Sequence, residues 1–336
     1  MPIFGRKLLS SQPLASAAPP QRLARSMGTA KHPREIRPES ITVAIFCSLL
    51  DEVTAVRYSL DEEFVCCPRA AHAKYVYNYG RIGHHAVVIA RPFDTGPIKA
   101  ARVAATVSFQ FPNVRNAVLV GTGGGIPYPA DIRLGDIAVS MPGKDHPGVI
   151  QYDFGKYEET EFVLIDKLDM PSKSLLSADK SVQRDKNMQN GDLGGILGDI
   201  IAKSGFKRPT TADTLFHGSF DHVNSGSDCS ACRVKGSTKI VPRPQRRHQH
   251  PVVHRGLILS GSGVVRNPRD RDILRRGHNN AICFETEAAG IVNEIPCIVV
   301  RGISNYADTH VQDGWHRYAA AASAAYCKAL LYKLRA

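Results

Sequence analysis

Asn116-Ala117-Val118-Leu119-Val120, running directly into Gly121-Thr122-Gly123-Gly124-Gly125-Ile126-Pro127, is the stretch that decides the fold. Its first five residues are apolar and partly β-branched, too few for a helix and suited to a strand buried on both faces. The glycines read as a loop after that strand. Without Cβ atoms in the way, backbone N–H groups can approach an anion or a ribose. A tight turn needing positive φ is the structural alternative. The dinucleotide fingerprint is excluded, because Ile126 occupies the place of its last glycine and Pro127 stands where a helix should open. No Gly-Lys-Ser/Thr follows, so it is not a P-loop either.

Outward from this stretch, strands and helices alternate. Residues 41–47, 74–79, 85–91, 116–120, 136–141, 256–260, 281–284 and 296–303 read as strands. Helical spacing covers 51–60, 99–109, 191–204, 269–276, 287–293 and 316–334. In the last of these, Tyr318, Ala322, Ala325, Ala329 and Tyr332 share one face. Continuous apolar strands separated by helices predict an α/β domain with a parallel or mixed sheet covered on both sides.

The chain has 336 residues, 43% hydrophobic and 22% charged, enough for a large core. No apolar run approaches the roughly 18 residues of a membrane helix, so no membrane partner is expected. Eight cysteines without a regular framework fit a reducing, intracellular setting, with the cytoplasm the favoured compartment. The net charge of +12 is unevenly spread. Residues 1–40 hold seven Lys/Arg against Glu35 and Glu39, and residues 233–276 hold twelve against Asp270 and Asp272. What remains is mildly acidic. The second basic cluster lacks interleaved aromatic residues, which argues against nucleic acid as a partner.

Residues 1–40 have the Ser, Ala, Pro and Arg content of a mitochondrial presequence or of a disordered leader, and both readings stay open. The folded domain is expected over 41–336, with a polar, basic surface excursion at about 205–253. No nucleotide-switch or repeat domain follows the last helix, which points to a free-standing protein or a fragment.

Three further segments carry chemistry. In Cys283-Phe284-Glu285-Thr286-Glu287-Ala288-Ala289-Gly290, two acids sit where a strand yields to small residues. They either cap a helix start or, held in close packing, accept bonds from vicinal sugar hydroxyls. Arg301-Gly302-Ile303-Ser304-Asn305-Tyr306-Ala307-Asp308 ends the last strand, at the sheet edge where α/β proteins bind ligands. Ser48-Leu49-Leu50-Asp51-Glu52 follows the first strand and offers a further carboxylate.

Taken together, these segments resemble the purine and uridine phosphorylase superfamily, as do Asp131-Ile132-Arg133-Leu134-Gly135-Asp136 and Ser260-Gly261. The nearest branches are methylthioadenosine/adenosylhomocysteine nucleosidases and the nucleoside phosphorylase-like domains of fungal NOD-like receptor and ankyrin proteins. Phe111-Pro112-Asn113-Val114-Arg115, residues 151–155, Asp228 to Cys232 and Trp315 to Ala319 fit the fungal branch. The likeness spans about 41–334. It implies a three-layer phosphorylase/hydrolase-like fold, a central mixed sheet flanked by helices, that cleaves or senses a purine nucleoside or nucleotide.

By that resemblance Glu287, beside Glu285, grips the ribose 2′- and 3′-hydroxyls, and Glu52 orients the attacking water. Thr122, Gly123 and Gly124 line the nucleophile site, with Ser304 at the strand end. Val265, next to Val264, lies against the base edge. No cofactor is implied, phosphate being the alternative co-substrate. Where phosphate-dependent members carry an arginine this chain has Leu119, which favours water. Where the family has an aspartic acid that protonates the leaving purine, this chain has Asn305. An amide donates a hydrogen bond but cannot transfer a proton. A weakened or lapsed enzyme, a preference for 6-oxopurines, or substitution by Asp308 are the three explanations. Thr286 replaces a methionine usual between the two acids and loosens the wall beneath the sugar. Family members self-associate, which implies a homo-oligomer. Cys229-Ser230-Ala231-Cys232, with His217 and His222 upstream, has residue types that hold zinc. One such pair without a second is read as free thiols, and no metal site is expected.

Overall fold

The strand that begins at Asn116 does not stop at the glycines. In the computed structural model β6 spans Asn116–Gly125, so the expected loop is the second half of a ten-residue strand. None of its glycines has positive φ. They are there because neighbours press on the backbone. A Cβ on Gly121 would stand 2.3 Å from the Arg301 guanidinium and 2.8 Å from Glu52 Oε1, and one on Gly123 would stand 2.6 Å from Cys283 Sγ. Close approach, not turning, is what these positions require.

The structure describes residues 34–66, 75–159, 162–165, 167–185, 192–223, 229–278, 281–310, 312 and 314–335. Around β6 the elements are β1 (Arg34–Ile36), β2 (Val43–Phe46), α1 (Leu50–Ser59), β3 (Glu62–Cys66), β4 (Tyr77–Ile82), β5 (His85–Ala90) and α2 (Pro97–Gln110). After it come β7 (Ile137–Ser140), β8 (Val149–Gln151), β9 (Gly155–Tyr157), β10 (Phe162–Leu164), α3 (Lys173–Arg184), α4 (Leu193–Ser204) and α5 (Ser230–Lys235). The last are β11 (Val253–Ser260), α6 (Pro268–Gly277), β12 (Ala281–Glu285), β13 (Cys297–Asn305) and α7 (Trp315–Lys333).

The main sheet is mixed and runs β1-β3-β4-β5-β2-β6-β12-β11-β7-β13, with β13 returning to pair β6. Strands β6, β12, β11, β7 and β13 therefore close into a ring, and β2, β5, β4, β3 and β1 extend from it as a wing. Closure leaves those five strands without an open edge. β6 pairs in parallel with β2 (Ala44↔Ala117) and with β13 (Val299↔Leu119). Their apolar residues 117–120 and 297–300 are fully buried, as continuous apolar runs in parallel strands should be.

Helix α7 lies on β6 and β13, and α1, α3 and α4 pack on α7. Ala319, Ala320, Ala321, Ala322, Ala324 and Ala325 are all fully buried, so α7 is apolar nearly all round, as a helix enclosed in a core must be. Small side chains set the spacing. A Cβ on Gly302 would lie 1.9 Å from the Ala319 carbonyl oxygen.

Several expectations change. The folded unit begins before residue 41, since β1 pairs β3 at Arg34↔Phe64, while residues 1–33 of the expected leader lie outside the described residues. The helix expected at 287–293 is a single 3-10 turn, Ala288–Gly290. The turn packs tightly on α2, where a Cβ on Gly290 would lie 1.9 Å from the Pro97 carbonyl oxygen. Strand β4 begins at Tyr77, and Lys74 lies outside the described residues. Among the described residues of the 205–253 excursion, regular structure is limited to α5, a 3-10 turn at 237–239, an isolated Phe216–Ile240 bridge and the first residue of β11. Among the described residues no helix is long and apolar enough to cross a membrane.

Candidate active site

Strands β6 and β13 run parallel, so their carboxyl ends finish together, with Gly302 opposite Thr122 and Asn305 opposite Gly124. β12 meets β6 antiparallel at Phe284↔Gly124, which brings Glu285 and Glu287 to the same edge. The first turn of α1 adds Glu52. Between them lies a cavity of about 230 Å³. Glu52, Thr122, Gly123, Gly124, Val265, Glu285, Glu287, Ser304 and Asn305 all line it. Leu119, fully buried in β6, does not.

Arg301 organises the floor. It is buried on β13 and donates from Nη2 to Glu285 (2.5 Å) and Glu287 (2.9 Å), and from Nη1 to the Thr122 carbonyl (3.4 Å). Burial disfavours its charge, but Glu285, Glu287 and Glu52 outweigh this and hold its pKa above the ordinary value. Local sequence pattern places Arg301 within a motif and gives it no role. A buried arginine amid three acids depends on contacts across 14 or more residues, beyond what local pattern reveals.

The three carboxylates differ in what they have left to offer. Glu285 accepts from the amides of Glu287 (2.9 Å) and Ala288 (3.0 Å) as well as from Arg301. Its oxygens are occupied by the turn it shapes. Burial raises its pKa against the opposing charge of Arg301. Glu285 is thus a positioning group, close to the capping alternative weighed from the sequence. Glu287 accepts from Arg301 on one oxygen, and on the other from Thr286 Oγ1 (2.6 Å) and weakly from the Gly96 amide (3.4 Å). A hydroxyl can rotate away, so that second oxygen can turn to a ligand.

Glu52 sits three residues into α1 and reaches back to accept from the amides of Ser48 and Leu49 (both 2.9 Å), half of a capping box. Its other oxygen accepts from the Thr122 amide (2.8 Å) and Oγ1 (3.1 Å). Thr122 Oγ1 is also 3.4 Å from His316 Nδ1. His316, on the first turn of α7, lines the cavity, and local pattern likewise gives it no role. Among the described residues Ser48 Oγ and Arg301 Nε are buried without hydrogen-bond partners, and both residues line the cavity.

At the far wall Asn305 accepts from the Ala307 amide (2.9 Å) and donates to Ser304 Oγ (3.2 Å). Ala307, at φ 51, takes a conformation most residues avoid, and this fixes the bend after β13. Asp308 faces away. It is buried, accepts from the His310 amide (2.9 Å), and does not line the cavity. Burial, opposed by His310 and Arg271, raises its pKa to about 6. The expectation that Asp308 replaces an acid at Asn305 is therefore not met by its position. The apolar wall is Val264, Val265 and Phe284, with Phe284 edge-on to Tyr152 at 5.8 Å.

No protein-family model matches the chain. By structure it is similar to the methylthioadenosine/adenosylhomocysteine nucleosidase of Neisseria meningitidis in complex with methylthio-immucillin-A, with a TM-score of 0.58 and 16% identity over 87% of this chain and 99% of that one. The corresponding enzyme of Colwellia psychrerythraea, in complex with adenine, gives 0.57 and 20% identity over 88% and 96%. The chain has the fold of these nucleosidases, with the central mixed sheet flanked by helices that its motifs led us to expect. By sequence it is a relative of a nucleotide-binding leucine-rich repeat (NLR)-like protein of Hyaloscypha variabilis, 35% identical over 302 residues. That alignment takes in 88% of this chain but 30% of the longer relative. A shorter match, 32% over 78 residues, is to the ATP nucleosidase Cap17 of Escherichia coli, covering 22% of this chain and 15% of that protein.

Proposed function

We propose that the cavity binds a purine nucleoside or nucleotide and hydrolyses its N-glycosidic bond, with water as the nucleophile. The observation that carries this reading is the charge pattern, three buried carboxylates around one guanidinium at the meeting of β6, β12 and β13. A sugar becoming an oxocarbenium ion gains from such a negative surround, and a phosphate dianion is repelled by it.

In this reading Glu287 turns its second oxygen from Thr286 to the ribose 2′- and 3′-hydroxyls. Water sits against Glu52 and Thr122, where Ser48 Oγ and Arg301 Nε offer further donors and acceptors. As the bond from C1′ to the base nitrogen breaks, water oxygen bonds to C1′ and Glu52 takes its proton. Val264, Val265 and Phe284 hold the base. Asn305 supports the departing base by a hydrogen bond, and solvent supplies the proton it lacks. Without a general acid the rate should fall by about 10²–10⁴.

That deficit favours one alternative, a nucleoside-sensing module whose catalysis has lapsed, a reading in keeping with the NLR-like relative. The two separate in one experiment. A panel of purine nucleosides and nucleotides is incubated with the protein, with and without phosphate, and free base is measured. Phosphate-independent release supports hydrolysis. Saturable calorimetric binding with no free base supports sensing, and neither binding nor release sinks both.

A further inference from the structure

The 205–253 excursion holds a second cluster of chemistry that the cavity does not use. Its core is small, with Phe216, Cys229 and Cys232 buried and Phe220 and Val223 packed against them. Two of its three buried members are cysteines. A module with so little apolar area and so little regular structure ordinarily needs a disulfide or a metal to hold it.

Side chains here meet in a metal-like arrangement. One nitrogen of His222 and the sulfurs of Cys229 and Cys232 all lie within 4.8 Å of one another. Cys229 is the residue just before α5 and Cys232 is in its first turn, so a single helix start aims both sulfurs the same way. The Val223 amide approaches Cys232 Sγ at 3.4 Å, the kind of N–H contact that steadies a metal-bound thiolate from behind. His310, arriving from the loop after β13, stacks on Phe216 (4.3 Å) and Phe220 (5.5 Å), with its ring 5.4 Å from that of His222. Its Nε2 is buried and, among the described residues, has no hydrogen-bond partner. His217, the other upstream histidine, is engaged with Ser219 Oγ at 2.9 Å and is outside the group.

We infer that His222, Cys229 and Cys232 form a structural zinc site, with His310, which lies outside their 4.8 Å group and has to swing inward to reach the metal, as the candidate fourth ligand. Two thiolates and two imidazoles match the tetrahedral preference of zinc. Neither cysteine is in a disulfide, as ligation requires. The position also gives the site a task. Gln312 accepts from the Thr214 amide (3.4 Å) and donates to the Thr214 carbonyl (2.7 Å), and Tyr306 bonds Asp213 at 2.5 Å. The excursion is thereby clamped to the segment from Asn305 to Gln312. A metal joining His222 and the cysteines to His310 would tie it at one more point and steady Asn305 at the cavity wall.

The test is elemental analysis of the full-length chain purified without added metal and without a histidine tag, followed by cobalt substitution. About one zinc per chain is expected. Cobalt should give the intense visible bands of a tetrahedral thiolate complex. Cys232→Ser should abolish both. In His310→Ala the cobalt bands should weaken and the metal bind less tightly while Cys229 and Cys232 still ligate. A variant that fails to fold does not block the test, because a mercurial that caps thiols should release the zinc from wild-type protein. Absence of metal, an intact-mass deficit of two hydrogens indicating a Cys229–Cys232 disulfide, or a cobalt spectrum lacking thiolate bands would each overturn the inference.

Discussion

The strand ring and the excursion are held by different forces. In the ring, β6 and β13 bury apolar runs completely and α7 approaches so closely that Gly302 has no room for a methyl group. In the excursion, charged contacts replace sheet pairing. Arg243 meets Asp213 at 2.7 Å, and Arg246 meets Asp136 at 2.6 Å. The residues that line the cavity stand mostly on the ring, where backbone geometry is set by packing. The excursion braces one wall of the cavity from outside.

This contrast can be broken by mutation, and the largest expected effects are in the cavity. Glu52→Gln keeps shape and removes the base, so base release should fall about 10²–10⁴-fold while nucleoside affinity by calorimetry changes little. Equal turnover in the variant would remove Glu52 from the chemistry. Asn305→Asp restores a general acid and should raise release of adenine-type bases by about 10²-fold or more, provided wild-type release is measurable. No change would mean Asn305 does not face the leaving base.

Stability effects come next. Gly302→Val forces β13 from α7 and should cost about 3 kcal/mol or more in urea unfolding, independent of salt. A fully stable variant would show that the Gly302–Ala319 approach is not tight. Arg246→Met removes two charged hydrogen bonds from Asp136 and should cost roughly 1.5–3 kcal/mol, with the difference shrinking in high salt. The pH dependence follows from the same pair. Burial alone would raise Asp136, but His254 and Arg246 outweigh it and hold its pKa below the ordinary aspartate range. The ion pair therefore stabilises fully above about pH 4 and is lost as pH falls through the lowered folded value. The urea midpoint should drop on acidification in wild type and drop less in Arg246→Met. Parallel curves would assign acid sensitivity elsewhere.

The smallest effect concerns a helix end. Gly205, at φ 74, closes α4, and a Cβ there meets nothing within 4 Å. Gly205→Ala should cost only about 1 kcal/mol, from backbone strain alone.

The contrast also explains what the sequence disclosed. Runs such as 117–120 and 297–300 were legible because a strand buried on both faces must be apolar throughout. Glu52, Glu287, Thr122 and Asn305 were legible because each follows such a run within a few residues. β3, with Glu62 and Glu63, was not, since its pairing with β4 and β1 lies in distant chain. Nor did the glycines announce a strand, as their reason is the pressure of Arg301, Glu52 and Cys283 from elsewhere. Arg301 and His316 escaped for a like cause. Their partners are brought in by β6, β12 and α1, and only the assembled ring reveals them.

The central claim is tested most directly by running the reaction on a cleaved substrate from the panel in oxygen-18 water and weighing the released sugar. Hydrolysis at the Glu52 side of the cavity predicts one heavy oxygen in the sugar product, with phosphate making no difference. A sugar phosphate without the label, or intact nucleoside after prolonged incubation with the Asn305→Asp variant, would contradict it.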